Sequence, residues 1–182
     1  THECSSAASD VYKRQHKANK DTVLIAEIFG DTSQWLQGDR FDGTMNYSFR
    51  ETMTDFFATK RISNKEFADS LAYLYSMYSF EALSSCQNLL SSHDVKRFLN
   101  RCGGDVHGLL GAIFMQATFP GIAGIYYGDE IGLGGADDPS NREAFPWHDK
   151  QSWNTEILEY TKTLMRIKPV SYTHLRAHET TD

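Results

Sequence analysis

The fold is indicated first by a run of seven residues, VLIAEIF, at positions 23–29. Apolar runs rich in β-branched residues are typical of strands that are buried on both faces of a parallel sheet. The run contains one charged residue, Glu27, and a carboxylate in such a strand is costly to bury unless it is paired or functional. Burial also favours the protonated form of a carboxyl group, which a general acid requires. We therefore expect a buried strand that carries either a catalytic acid or a glutamate in a structural salt bridge.

Strand-like and helical patterns alternate after this run. The alternation predicts an α/β fold with a parallel sheet and right-handed crossovers, in which chemistry gathers at the carboxyl ends of the strands. Further strands are predicted at residues 41–47, 86–90 and 122–128, and helical spacing of apolar residues is found at residues 49–57, 67–78, 105–118 and 154–168, the last helix ending at Pro169.

The two ends of the sequence lack this pattern. Residues 1–15 and 171–182 are polar and show neither helical nor strand periodicity. We expect both segments to be disordered and foreign to the fold, or alternatively to be natural disordered termini. The domain itself is predicted to cover residues 16–170.

Composition excludes several classes of partner. A net charge of −6 without a cluster of lysine and arginine gives no footprint for a nucleic-acid backbone. The apolar runs at residues 23–29 and 109–119 are shorter than the roughly 20 residues that a membrane helix needs. The three cysteines have no metal-ligand spacing and are interpreted as free thiols. We expect no nucleic-acid partner and no membrane span.

A second group of candidate residues follows the strand predicted at residues 86–90. The sequence there reads SSHD, so that His93 and Asp94 lie just beyond the end of the strand. The pair could contribute to a functional site at this strand end. Alternatively Asp94, Ser91 or Ser92 could cap the short helix that follows, since these residue types accept hydrogen bonds from helix N-termini.

Three motifs, in order, resemble one known family. Residues 20–169 are similar to the second half of the catalytic barrel of glycoside hydrolase family 13, most closely to its neopullulanase and cyclomaltodextrinase branch. The resemblance implies a partial TIM (β/α)8 barrel, comprising strands five to eight with their helices. It is carried by IAEIFGDTSQWLQGDRFDGTMNY, by NLLSSHD and by GIYYGDEIGLGGADDPSNREAFPW.

The resemblance also implies roles for individual residues. Glu27 matches the general acid/base and Asp94 matches the carboxylate that stabilises the transition state, so these two are the predicted catalytic residues. Four further residues are predicted to bind substrate. His93 matches a histidine that hydrogen-bonds the sugar at the cleavage point, Asp138 and Arg142 match a pair that holds the next sugar toward the non-reducing end, and Phe29 takes the place of an aromatic ring, often tryptophan, near the leaving-group sugar.

The function implied is that of a retaining α-glucan hydrolase acting on α-1,4-glucosidic bonds in cyclodextrins, pullulan or maltooligosaccharides. The nucleophilic aspartate on the preceding strand is missing from this chain, so the chain alone is predicted to be inactive. Alternatives are a transglycosylase or isomerase of the same superfamily, or a non-catalytic carbohydrate-binding relative. No metal and no organic cofactor is expected, and the parent protein is expected to form a homodimer by analogy with this branch.

Overall fold

The computed structural model describes residues 2–179, and it describes the side chains of residues 9–168. Helices alternate with short strands in an α/β fold. The strands are β1 at Ile25–Ala26, β2 at Gly43–Thr44, β3 at Gln87–Leu89 and β4 at Ile122–Gly124, and the helices are α1 at His2–Ala18, α2 at Tyr47–Met53, α3 at Asn64–Met77, α4 at Phe80–Ser85, α5 at Phe98–Arg101, α6 at Val106–Thr118 and α7 at Thr155–Glu179. Shorter helical turns occur at Thr54–Ala58, Ser33–Trp35, Asp129–Ile131, Ser140–Arg142 and Lys150–Ser152.

The predicted helices α3 and α6 are confirmed, with small changes at their ends. Helix α3 begins earlier than its apolar spacing indicates, because Ser63 and Glu66 form a capping box that satisfies backbone donors at its start. Helix α6 follows Asp105, whose carboxylate accepts hydrogen bonds from the backbone N–H groups of His107 and Gly108. Side chains at the caps therefore set where both helices begin.

The strands are shorter than predicted, and the prediction of a buried strand at residues 23–29 is wrong. Val23 is 63% exposed and Phe29 is 60% exposed, while Ala26 is buried. Strand β1 pairs in parallel with β2, with Ile25 opposite Gly43 and Ala26 opposite Thr44. In the described part of the chain β1 has no second strand neighbour, so the apolar run is paired along one edge.

Both ends of the chain differ from the disorder that their composition predicts. Helix α1 covers most of residues 1–15, where Lys13, Arg14 and Gln15 are good helix formers. At the other end α7 continues past Pro169, since a proline removes a single backbone donor and weakens a helix without always ending it. Residues 180–182 lie outside the described residues, and the foreign origin of both segments stays a prediction.

The chain divides into two compact units that are each discontinuous in sequence. The first comprises residues 1–52, 63–88 and 120–122, and the second comprises residues 53–62, 89–119 and 123–182. No linker-like composition marks these divisions, and three of them, after residues 52, 88 and 122, fall within α2, β3 and β4. Within residues 2–179, no helix is both long and apolar enough to cross a membrane.

A buried pair of asparagines organises the first unit. The Asn46 carboxamide donates to Asn88 Oδ1 over 2.9 Å, and the Asn88 carboxamide donates to the Pro120 carbonyl over 2.8 Å. Asn46 Oδ1 also accepts from the backbone N–H of Phe49, in the first turn of α2. The two side chains are almost fully buried, at 1% and 0% exposure. They link the segment after β2 and the middle of β3 to the start of α2.

The second unit is built around a fully buried arginine. The Arg97 guanidinium donates to the Tyr127 carbonyl over 2.6 Å and lies 3.4 Å from Asp129 Oδ1. Its central carbon lies 4.7 Å from the ring centre of Tyr126 and 4.8 Å from that of Tyr127, a cation–π arrangement. Burial raises the pKa of Asp129 to about 7, although the Ser91 hydroxyl and Arg97 act in the opposite direction.

Two buried thiols lie in these cores. Burial raises the pKa of Cys86 to about 11 and that of Cys102 to about 12, so both remain protonated near neutral pH. Cys4 lies outside the residues whose side chains are described.

Replacement of Gly43 by alanine is expected to destabilise the first unit. A Cβ atom at this position of β2 would overlap the backbone carbonyl of Ser85, which cannot rotate away as a side chain can. Overpacking of this kind costs about 1–3 kcal/mol. We expect a lower midpoint in urea for Gly43→Ala than for Gly134→Ala, whose Cβ would lie 3.0 Å from the side-chain oxygen of Asn100. Equal midpoints for the two variants would contradict the close approach.

Asp129 predicts a pH dependence of stability with a definite sign. Because the folded pKa of about 7 is above the ordinary value of 3.8, the folded chain holds the proton more tightly than the unfolded chain. The resulting stabilisation is complete below about pH 4 and is lost as the pH rises to about 7. We expect the difference in unfolding free energy between the parent and Asp129→Asn to shift by a few kcal/mol in favour of the variant over this window. The same pH profile in both proteins would disprove it.

Candidate active site

Glu27 is the first residue after β1. The backbone that leads to it is fixed, since the carbonyl of Ala26 accepts hydrogen bonds from the backbone N–H of Met45 at 2.8 Å and from the Thr44 hydroxyl at 3.1 Å. The side chain of Glu27 is exposed, whereas Ala26 before it is 1% exposed. The prediction that Glu27 is buried is therefore wrong, and its case as a functional residue rests on its place at the strand end.

Asp42 fixes the start of β1 from the loop before β2. Its Oδ2 atom accepts from the backbone N–H of Leu24 over 2.7 Å, and its Oδ1 atom accepts from the Tyr12 hydroxyl over 2.9 Å. Tyr12 lies in α1, so the segment that was expected to be disordered contacts the strand that leads to Glu27. Sequence reasoning did not single out Asp42, although it lies within a quoted motif.

Phe29 is held with its ring exposed. The ring stacks on that of Tyr47, with centres 4.0 Å apart and planes at 26°, and Tyr47 is itself buried at 2% exposure. The hydroxyl of Ser48 donates to the carbonyl of Gly30 over 3.1 Å, which ties the backbone after Phe29 to α2. One face of an aromatic ring is thus presented on a fixed support.

His93 and Asp94 lie together in the segment after β3. His93 Nε2 is 3.4 Å from Asp94 Oδ1, and the side chains are 52% and 46% exposed. The backbone N–H of Asp94 donates to the Ser92 hydroxyl over 3.2 Å. Asp94 is not a helix cap, because α5 begins at Phe98 and its first backbone N–H donates to Ser91 Oγ over 2.9 Å. Ser91, and not Asp94, therefore accepts a hydrogen bond from the start of this helix.

Asn141 holds this segment in place. It is 2% exposed, and its carboxamide nitrogen donates to the carbonyl of His93 over 2.8 Å and to the carbonyl of Val95 over 3.1 Å. The two acceptors belong to the residues on either side of Asp94, so one buried side chain fixes the backbone around the predicted catalytic residue. Asn141 lies within a motif of the family resemblance, but the motif predicts roles only for Asp138 and Arg142.

Asp138 and Arg142 form an ion pair across the turn that contains Asn141. The hydrogen bond from Arg142 to Asp138, and the charge of that carboxylate, raise the pKa of the guanidinium further. Both side chains are about half exposed or more, at 61% and 48%. A second ion pair, between Lys96 and Asp137 at 3.0 Å, joins the same turn to the segment that follows Asp94.

The six predicted site residues fall into two groups. The first unit contains Glu27 and Phe29, and the second unit contains His93, Asp94, Asp138 and Arg142. In the second unit Asn141 joins the His93–Asp94 pair to the turn of the Asp138–Arg142 pair. The expectation that the chain holds neither metal nor organic cofactor stays a prediction.

Known proteins similar to this chain are carbohydrate-active enzymes. The sequence is 42% identical over 150 residues to neopullulanase 2 from Thermoactinomyces vulgaris, a match that covers 82% of this chain and 26% of that protein. It is 39% identical over 158 residues to a cyclomaltodextrinase from Geobacillus thermopakistaniensis, covering 86% of this chain and 27% of that protein. The chain thus spans about a quarter of the length of these curated relatives.

The structure is similar to solved structures of the same kind. A cyclic α-maltosyl-(1→6)-maltose hydrolase from Arthrobacter globiformis superimposes with a TM-score of 0.86 at 34% identity, over 89% of this chain and 37% of that one. The sequence pattern of the alpha-amylase catalytic domain matches residues 1–168, most of the present chain. This protein chain belongs to the alpha-amylase catalytic-domain family.

Proposed function

We propose that this chain is part of a retaining glycoside hydrolase that cleaves α-1,4-glucosidic bonds in cyclodextrins, pullulan or maltooligosaccharides. In this proposal strands β1 to β4 correspond to strands five to eight of a (β/α)8 barrel. The names of the relatives, a neopullulanase and a cyclomaltodextrinase, support this substrate class. The homodimer expected for the parent protein remains a prediction.

The observation that carries the proposal is the position of Glu27. It follows β1 directly, its backbone is fixed by hydrogen bonds to β2, and its side chain is exposed. In barrels of this type, catalytic side chains come from the carboxyl ends of strands. A carboxyl group on such a support can protonate the glycosidic oxygen and then, as a carboxylate, activate water. We assign Glu27 as the general acid/base.

The remaining residues stabilise charge in the transition state or hold the bound sugars in position. Asp94 supplies the carboxylate that stabilises positive charge on the sugar in an oxocarbenium-like transition state. His93 hydrogen-bonds a hydroxyl of the same sugar, and the Asp138–Arg142 pair holds the next sugar toward the non-reducing end. Phe29 packs against the leaving-group sugar with its exposed ring. The hydrogen bonds from Asn141 to the carbonyls of His93 and Val95 support this assignment, because a stabilising carboxylate has to be held in place before the reaction.

The 182-residue chain by itself is expected to be inactive. A retaining mechanism needs a nucleophilic carboxylate roughly 5 Å from the acid, and the sequence contains no strand-like motif with an aspartate before Glu27. Incubation of the purified chain with cyclodextrin and with a nitrophenyl maltoside should release no glucose, maltose or nitrophenol above a Glu27→Gln control. Release above that control would show that a nucleophile is present in this chain.

The role of Glu27 can be tested in a chimera that supplies the missing segments. The segment of the Thermoactinomyces vulgaris neopullulanase 2 that matches this chain is replaced by the matching residues of this chain. We expect the chimera to hydrolyse pullulan or cyclodextrin, and Glu27→Gln to lower kcat by about 10²- to 10⁴-fold, the usual contribution of acid–base help.

A matched control for the chimera is Glu81→Gln, an exposed carboxylate in the first turn of α4, which should leave kcat unchanged. Equal activity of Glu27→Gln and Glu81→Gln would remove Glu27 from the acid role. Products longer than maltotriose, formed from maltotriose as the principal outcome, would favour a transglycosylase over a hydrolase.

A further inference from the structure

His93 and Asp94 are the two central residues of a tight turn formed by residues 92–95. The turn is closed by the backbone N–H of Val95, which donates to the carbonyl of Ser92 over 3.4 Å. Both central side chains are exposed. The place of the Asp94 carboxylate therefore depends on the residues that hold the chain on either side of this turn.

Ser91 holds the chain before the turn. It is buried, and its Oγ atom accepts from the backbone N–H of Phe98 over 2.9 Å. The same hydroxyl donates a hydrogen bond to the carboxyl group of Asp129, which begins the short helical turn at Asp129–Ile131. A continuous chain of hydrogen bonds thus runs from the start of α5 through Ser91 to Asp129.

Arg97 holds the chain after the turn, and it meets the same carboxyl group. Its backbone N–H donates to the carbonyl of Gly135 over 3.1 Å, and its Nη1 atom lies 3.4 Å from Asp129 Oδ1. Its Nε and Nη2 atoms have no hydrogen-bond partner among the described residues. A buried guanidinium needs a counter-charge, because the protein interior does not replace its hydration. Asp129 is in place to supply it.

The ionised form of Asp129 costs folding free energy. Burial raises its pKa to about 7 and the charge of Glu130 raises it further, although hydrogen bonds from the residues on either side of the turn oppose this. Helix α7 packs against the same helical turn with the uncharged side chains of Ile157 and Asn154. The titratable neighbours on the other elements are Arg97, Tyr126, Tyr127 and Glu130. A buried acid with a strongly raised pKa is typical of functional sites.

We propose that Asp129 is a positioning residue for Asp94, because it holds the chain on both sides of the turn that carries this carboxylate. As a carboxylate, Asp129 accepts from the Ser91 hydroxyl and balances the charge of Arg97 at the same time. When it is protonated, one oxygen becomes a donor and the ion pair with Arg97 is lost. The ionisation of Asp129 then changes how firmly residues 92–95 are held. The catalytic role of Asp94 rests on the proposed function, whereas the clamp itself does not.

NMR of the ¹⁵N-labelled 182-residue chain between about pH 5 and about pH 9 tests the clamp. We expect the amide signal of Phe98 to shift with a midpoint near pH 7, because its acceptor Ser91 bonds to the titrating Asp129. The inflection should vanish in Asp129→Asn, which keeps the shape of the side chain. The imidazole of His93 is present in both proteins, so any contribution from it cancels in the comparison.

Glu130→Gln is the matched control, since it changes the neighbouring carboxylate, whose Oε2 atom accepts from the backbone N–H of Gly128. This variant should keep the Phe98 inflection and move its midpoint to lower pH, because the charge of Glu130 raises the pKa of Asp129. The shifted midpoint assigns the inflection to Asp129 even where Asp129→Asn does not fold. An inflection that is absent from the parent, or identical in all three proteins, overturns the clamp.

The effect on Asp94 is measured separately, in the chimera described above. Above pH 7 we expect Asp129→Asn to lower kcat roughly tenfold with KM unchanged, since a small displacement of a stabilising group slows the chemical step. Near pH 5 the parent and the variant should differ less, because Asp129 is then protonated. Equal kcat at every pH, beside a lost NMR inflection, would reduce Asp129 to a structural residue and overturn the positioning role.

A failure of the proposed function gives a different result. A chimera without activity would count against the proposed function and leave the NMR result for the clamp standing. Positioning is then judged in the 182-residue chain from hydrogen exchange of the amides of residues 93–95 at about pH 8. Exchange that is faster in Asp129→Asn than in Glu130→Gln supports the positioning role, and equal exchange overturns it.

Discussion

Short strands leave much of the backbone of this protein without partners in a sheet. Each strand has only two or three residues, so the backbone groups beyond the strand ends need other partners. Buried polar side chains supply them. Gln116 in α6 donates to the carbonyl of Gly124 at the end of β4. Asn88 donates to the carbonyl of Pro120, which lies before the start of β4. Lys168 of α7 donates to three carbonyls at the end of α6, those of Gln116, Ala117 and Phe119.

The same constraint explains how much of the fold the sequence could reveal. Apolar spacing identified α3 and α6 well, because a helix satisfies its own backbone and needs its side chains only for packing. Strand lengths and the burial of Glu27 were predicted wrongly, because an apolar run does not state which neighbours a strand has. The resemblance to known motifs selected Glu27, His93, Asp94, Asp138 and Arg142, but not Asn141. A buried asparagine that binds two carbonyls 48 and 46 residues away leaves no local pattern.

The candidate residues Glu27 and Asp94 share one arrangement. The nearby backbone is fixed by hydrogen bonds, and the side chain is exposed. The carbonyl before Glu27 and the carbonyls on either side of Asp94 are each held by hydrogen bonds, while both carboxylates reach solvent. A polyhydroxyl ligand loses hydrogen bonds to water when it binds, so the protein groups that replace them must already be in position. Rigid peptides beneath exposed carboxylates meet this requirement without burying a charge.

Exposed carboxylates of this protein are often paired with cations. Three exposed carboxylates have cationic neighbours: Arg142 lies beside Asp138, Arg50 beside Glu51 and Lys65 beside Asp69. An excess of one sign would attract ions of the opposite sign and would repel ligands that carry the same charge. Balanced pairs instead leave directional acceptors with a weak field, which would suit the neutral sugar chain of the proposed substrate. Local pairing therefore keeps the surface around Asp138 nearly neutral, although the whole sequence carries a net charge of −6.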